Sequence, residues 1–172
     1  TARAALARYP WAAVLQVAIT DRAGRVWLHQ DTQNSKRSSL WAGNLLGPDD
    51  PVEVVTTTVD TLIPTMLRYP DWIKVDAQGA EGGIVAGATR TLDEGRATWC
   101  VELWEPGLQA AGSDSETVLR AFQSRGYRPF TPERFASGVP SHWLDVFSAA
   151  AREKGHSSSD FLFTPPPQDG MT

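Results

Sequence analysis

The chain has 172 residues, 41% of them hydrophobic and 21% charged, which is one domain's worth and apolar enough to bury a core. A formal net charge of −4 argues against a protein that tracks nucleic-acid phosphates, and no apolar run reaches the roughly 18–20 residues that span a bilayer. Cys100 is the single cysteine, so an internal disulfide framework and a multi-cysteine zinc site are excluded, and a reducing, cytoplasmic setting is expected.

Thr1–Tyr9 is rich in Ala and Arg and is expected to be helical up to Pro10. With no initiator Met and no basic-then-apolar leader, the start reads like a segment entered partway through a larger fold. Trp11–Thr20, "WAAVLQVAIT", is a near-continuous apolar run, expected as a strand covered on both faces. "DRAG" turns the chain into Arg25–Gln30, which alternates like a hairpin partner. Asp31–Pro51 is a polar loop of functional length.

Val52–Thr58 is β-branched enough for a strand, and "VDTLIPTML" after it reads as helical with an early Pro64. Trp72–Asp76 is a short buried strand, Glu81–Leu92 a helix stopping near Gly95, and Thr98–Trp104 a further strand. Ser115–Arg125 and Ser141–Lys154 are helices closed by Gly126 and Gly155, and Phe161–Phe163 is a last strand before "TPPP". This alternation predicts an α/β fold with a mainly parallel sheet and helices on both faces, over residues 1–164. Residues 165–172 are expected to form a loose tail.

In an open parallel sheet, ligands bind beyond the carboxyl ends of the strands. Asp76 lies at such an end, and Glu102 and Glu105 lie in or just after the next strand, so three carboxylates are expected to converge on one rim. Asp76 is equally placed to cap the following helix, with Glu81 favoured in its first turn by the helix dipole. Glu102 sits inside an apolar strand and needs a partner, for which Lys74 is a candidate. "GAEGGIVAG" lacks the G-x-G-x-x-G spacing of a dinucleotide site, and no G-x-S-x-G elbow is present. His29, His142 and His156 are not at metal-ligand spacing, and Cys100 is expected to be a buried structural thiol. Trp11, Trp72, Trp99 and Trp143 lie in apolar runs and are expected in the core, whereas Trp41 stands in the polar loop, where it can line a pocket.

Assembled in this order, the residues resemble the FkbM-type methyltransferases, a branch of the S-adenosylmethionine-dependent class with a seven-stranded doubly wound sheet. The family's marker, approximately K-I-D-V-E-G-A-E before an apolar helix, is matched by Lys74–Glu81 and "GGIVAGA". "VAITDRAGRVWL", "SSL" at Ser38–Leu40, "VEVVTTTVDTL", "CVELWE" and "VLRAFQSRGYRPF" resemble its other segments, in order, to about Phe163. Gln78 replaces the family's first glutamate, and Trp104 stands where the family often has a polar residue. The glycine-rich loop that holds the cofactor's methionine part and the acidic end of the second strand are not in this chain, so the sheet is expected to lack its first two strands.

The resemblance implies O-methyl transfer from S-adenosylmethionine to a hydroxyl of a small metabolite or sugar. It implies Asp76, Glu81 and Glu102 as catalytic residues, Asp76 and Gln78 at the cofactor, and Ser38, Ser39, Trp41 and Trp104 at the acceptor. A divalent metal at the carboxylates is compatible but not implied, and a homo-oligomer is left open; no nucleic-acid or membrane partner is expected. The alternative is a methyltransferase-like domain without activity, serving as a binding or assembly module. A weaker third reading takes Asp76, Glu81 and Glu102 as the metal carboxylates of a hydrolase.

Overall fold

A computed structural model describes residues 2–33, 38–45, 47–152 and 158–167. His156, the end of the helix expected over 141–154, and most of the expected tail lie outside the described residues. Among the described residues no helix is long and apolar enough to cross a membrane.

The chain begins with helix α1 (Ala2–Leu6), then strands β1 (Ala18–Ile19) and β2 (Gly24–Leu28). A 3₁₀ turn at Ala42–Asn44 breaks the polar loop before β3 (Val52–Thr57), α2 (Val59–Leu62) and β4 (Trp72–Val75). Two short helices, α3 (Glu81–Ala86) and α4 (Thr89–Glu94), lead to β5 (Thr98–Leu103). Helices α5 (Glu105–Ala110) and α6 (Ser115–Gln123), strand β6 (Arg128–Phe130), helix α7 (Trp143–Arg152) and strand β7 (Ser159–Thr164) complete the order.

The protein is mixed α/β; a doubly wound, mainly parallel sheet is not seen among the described residues. The described residues form two small mixed sheets, of order β1-β3-β2 and β4-β5-β7-β6. The β1–β3 and β4–β5 pairs are parallel, whereas β2–β3, β5–β7 and β6–β7 are antiparallel. β7 returns between β5 and β6, so the last strand enters against the direction of its neighbours. β2 therefore pairs with β3 and not with the run before it, and the pairing is clasped by an Arg25–Glu53 ion pair of 2.7 Å. Pro129 is tolerated in β6 because that strand is an edge of the sheet.

The run Trp11–Thr20 contributes only Ala18–Ile19 to a sheet, and Trp11 is 80% exposed. An apolar run specifies a need for cover without naming what supplies it, and among the described residues β1 has one pairing, to β3. Trp72, likewise expected in the core, is 64% exposed because it starts β4, which among the described residues pairs with β5 alone. Trp99 and Trp143 do join the core. There the Phe122 ring stacks on Phe163 at 4.1 Å and meets Trp99 and Tyr127 edge-on. Phe122 is presented by α6, whose Val118, Leu119 and Phe122 are buried and whose Asp114 cap accepts from Thr117 N at 2.6 Å.

The single helix expected over Glu81–Leu92 is two. The break falls at Gly87–Ala88, where a side chain on Gly87 would lie 2.2 Å from the Thr20 carbonyl oxygen. Asp60 restarts the helix from outside, its carboxylate accepting from Arg90 N at 2.8 Å and Thr91 N at 2.9 Å. Gly95 closes α4 in the left-handed conformation, φ 57°.

Candidate active-site rim

β4 and β5 run parallel, so both deliver their carboxyl ends to one rim. Val75 turns inward and is buried, and the next residue, Asp76, opens the loop into α3. Two residues of that loop take left-handed backbone, Gln78 at φ 51° and Gly79 at φ 101°. Glycine is required at position 79, where a Cβ would stand 2.5 Å from the Gly107 carbonyl oxygen of α5.

Glu81 holds the loop in this shape from below. Its Oε1 accepts from Ala77 N at 2.8 Å and its Oε2 from Gly79 N at 2.9 Å, and the residue is fully buried at 0% exposure. Burial pushes its carboxyl above the ordinary value, against the backbone hydrogen bonds that favour the charge. From above, the Gln78 carbonyl accepts from Ser39 Oγ and Asn44 Nδ2, each at 3.0 Å. Ser39 is itself buried and accepts from Asn44 Nδ2 at 3.0 Å. The polar loop is thus tied to the rim.

On the rim the Gln78 side chain donates to Glu102 Oε2 at 3.2 Å and lies 3.5 Å from Asp76 Oδ1. Ser158 Oγ donates to the other oxygen of Glu102 at 2.6 Å. Burial raises the Glu102 carboxyl above its ordinary value; Asp76 beside it adds to the rise, and the Ser158 hydroxyl opposes it. Lys74 pairs with Asp160 and lies 4.0 Å from Asp76. Burial pulls the Lys74 ammonium down, but Asp160, Cys100 and Asp76 together hold it above its usual value. The thiol of Cys100, half-buried opposite Lys74, is pushed up by burial.

The expected set of residues is therefore divided. Asp76, Gln78 and Glu102 come together. Glu81 does not reach the rim, because both its oxygens are committed to loop amides. Asp76 does not cap α3 either, since Ala80 takes that position without a side-chain bond. Glu105 turns away to α6, accepting from Ser115 N at 2.9 Å. Lys74 serves Asp160 directly in place of Glu102, whose hydrogen bonds come from Gln78 and Ser158. Among the described residues no group of three or more His, Cys, Asp or Glu side chains is arranged to hold a metal ion.

Trp104 packs beneath the loop: a Cβ on Gly107 would lie 2.3 Å from its ring and 3.2 Å from Gly79 Cα. Ser38 is half-buried beside Ser39 at the end of the polar loop. Trp41 is half-buried and lines a separate cavity beside α3. Asn44, Ser158 and Asp160 also belong to this network, and the motif pattern of the sequence does not single them out. The signal for the last was the polar–apolar alternation of "SDFLFT", which puts Asp160 opposite Glu102 once β7 pairs with β5.

Beside the rim lies an apolar cleft of about 350 Å³, lined by Ile19, Val59, Ile63, Val75, Ala77 and Ile84, with Lys74 and Asp76 among its walls. The sequence model of the Methyltransferase FkbM domain matches residues 4–129, well over half of the chain, and the chain belongs to that family. No curated protein and no solved structure matches it.

Proposed function

We propose that this member of the FkbM methyltransferase family transfers a methyl group from S-adenosylmethionine to a hydroxyl of a small metabolite or sugar. The observation that carries the reading is Asp76, on the wall of an apolar cleft at the carboxyl end of β4 and held by the Gln78–Glu102 pair. The wall chemistry fits such a ligand: aliphatic side chains suit a flat aromatic base, and a carboxylate suits a cation. When bound, S-adenosylmethionine supplies an electrophilic methyl group on a sulfonium centre.

Asp76 and Gln78 would hold it. Methyl transfer is mainly a positioning problem, so the chain's contribution is a rigid rim, an aligned acceptor and exclusion of water. Glu81 and Ser39 fix the loop that carries Gln78, and Lys74 limits repulsion between Asp76 and Asp160. Glu102, whose carboxyl is raised by burial, is the rim group best disposed to hold a proton.

Isothermal titration with S-adenosylmethionine, on this chain and on the chain extended upstream, tests the reading. Binding is expected, and Asp76→Asn should weaken it by roughly tenfold, about 1.4 kcal/mol. Equal affinity in the two proteins would remove Asp76 from the cofactor, and no binding by either form would favour the non-catalytic module.

A further inference from the structure

A second cavity, of about 770 Å³, opens against a different face of α3, walled by the Thr20–Gly24 turn, Trp27, His29, Trp41 and Gly83. The glycines of this helix differ in why they are there. A Cβ on Gly82 would stand 2.3 Å from Ser113 Oγ, and one on Gly87 2.2 Å from the Thr20 carbonyl, so both are required by close packing. A Cβ on Gly83 would meet only Asp21 N, at 3.8 Å, which is an ordinary contact. Glycine inside a helix is less stable than alanine. Packing does not require glycine at position 83, and its missing side chain leaves volume to the cavity.

The walls say what would use that volume. Trp27 and Trp41 put indole rings in the wall, Trp27 being 58% exposed. His29 Nδ1 lies 2.6 Å from Asp49 Oδ2, which fixes the ring and leaves Nε2 as the nitrogen to meet a ligand. The charged residues are compensated within the wall or beside it, Arg25 by Glu53 at 2.7 Å and Arg22 by Asp21 at 3.5 Å. Such a wall attracts neither an anion nor a cation strongly. It suits a neutral ring that has apolar C–H faces and hydroxyl edges.

We propose that this cavity is the acceptor pocket and that it takes a neutral, polyhydroxylated ring of sugar type, with His29 meeting a hydroxyl and Trp27 and Trp41 meeting its faces. The acceptor role rests on the methyl-transfer reading; the ligand chemistry does not. The pocket is well placed for it. Ile19 lines the apolar cleft and Thr20 the cavity, and Ala77 and Ala80 border the two from one loop, so the two spaces flank the same strand end and rim loop.

The test uses methyl β-D-glucopyranoside, methyl α-D-mannopyranoside and methyl α-L-rhamnopyranoside as probes, read by saturation-transfer NMR and tryptophan fluorescence. At least one is expected to bind, and Gly83→Leu and His29→Ala should each weaken it tenfold or more with the melting temperature kept. Gly83→Ala, which adds only a methyl, reports whether position 83 tolerates a side chain; if Gly83→Leu does not fold, His29→Ala carries the test. Absence of binding by all three glycosides, or wild-type affinity in folded Gly83→Leu, would overturn the proposal. S-adenosylmethionine is titrated in parallel. Glycoside binding without cofactor binding supports the pocket chemistry and removes its acceptor role, so the two readings fail separately.

Discussion

The side-chain amide of Gln78 donates to Glu102 Oε2 at 3.2 Å, joining the β4 loop to β5, while its carbonyl is held by Ser39 and Asn44 of the polar loop. One residue in left-handed backbone therefore connects three separate segments. It also places a neutral donor between the carboxylates of Asp76 and Glu102.

Gln78→Glu replaces that donor with a third negative charge. A hydrogen bond is lost and like charges meet, so stability should fall by about 1–2 kcal/mol near neutral pH, or ~3–6 °C in melting temperature. The gap should narrow at pH 4.5, because burial raises the Glu102 carboxyl above that value and its protonation removes one of the charges. Thermal melts at the two pH values check this, and an equal gap at both would mean that the carboxylates do not interact.

Glu102 gives the folded chain a pH dependence of definite sign. Its carboxyl is raised above the ordinary value of 4.5, so from that pH upward the folded state binds more protons than the unfolded one. Its contribution to stability is largest below pH 4.5 and declines as pH rises through the folded value. Glu102→Gln removes this term while leaving the other groups in place. Urea unfolding at pH 4.5, 5.5 and 7 should show the variant gaining on the wild type as pH rises; parallel curves would contradict the assignment.

Glu81→Gln keeps the shape of the side chain but points an amide NH₂ at a backbone N–H. One of the two loop amides, on Ala77 or Gly79, is then left without an acceptor in a fully buried place. A loss of about 2–3 kcal/mol is expected, seen as a lower urea midpoint with an unchanged slope. A loss below about 0.5 kcal/mol would mean that the loop does not depend on this carboxylate.

Asp60→Ala uncaps α4. Burial pushes the Asp60 carboxyl up, but hydrogen bonds from the Thr91 hydroxyl and the Arg90 and Thr91 amides outweigh it and hold the group below 3.8. The stabilisation is therefore present above pH 3.8 and lost as pH falls through the folded value. The variant should be about 1–2 kcal/mol less stable at pH 7 and closer to the wild type at pH 3. Unfolding free energies at those two pH values decide it.

Some of the rim could be read directly from the chain. An apolar strand running up to Asp76, a glycine three residues on, and a second strand carrying Glu102 place two carboxylates at one end of a sheet by period alone. What that period cannot tell is whether a carboxylate beyond the strand faces the rim or the interior. Glu81 and Glu105 look the same in sequence as Asp76, each an acid near a strand end. The first is buried under the loop and the second is bonded to the start of α6.

The sequence by itself determined the family, the strand character of β3, β4, β5 and β7, the helices α6 and α7, and the identity of the acidic residues near the rim, because these depend on local pattern and on motif order; α5, β6 and the break between α3 and α4 were not legible in it. Only the tertiary structure decided that β3 and β7 lie between other strands, that Trp11 and Trp72 are exposed, and that Glu102 is served by Gln78 and Ser158. Ser158 is 56 residues from Glu102, and their meeting depends on β7 pairing with β5 in one register. Register and strand order are set by the sum of contacts across the whole sheet, and no short stretch of the chain contains that sum.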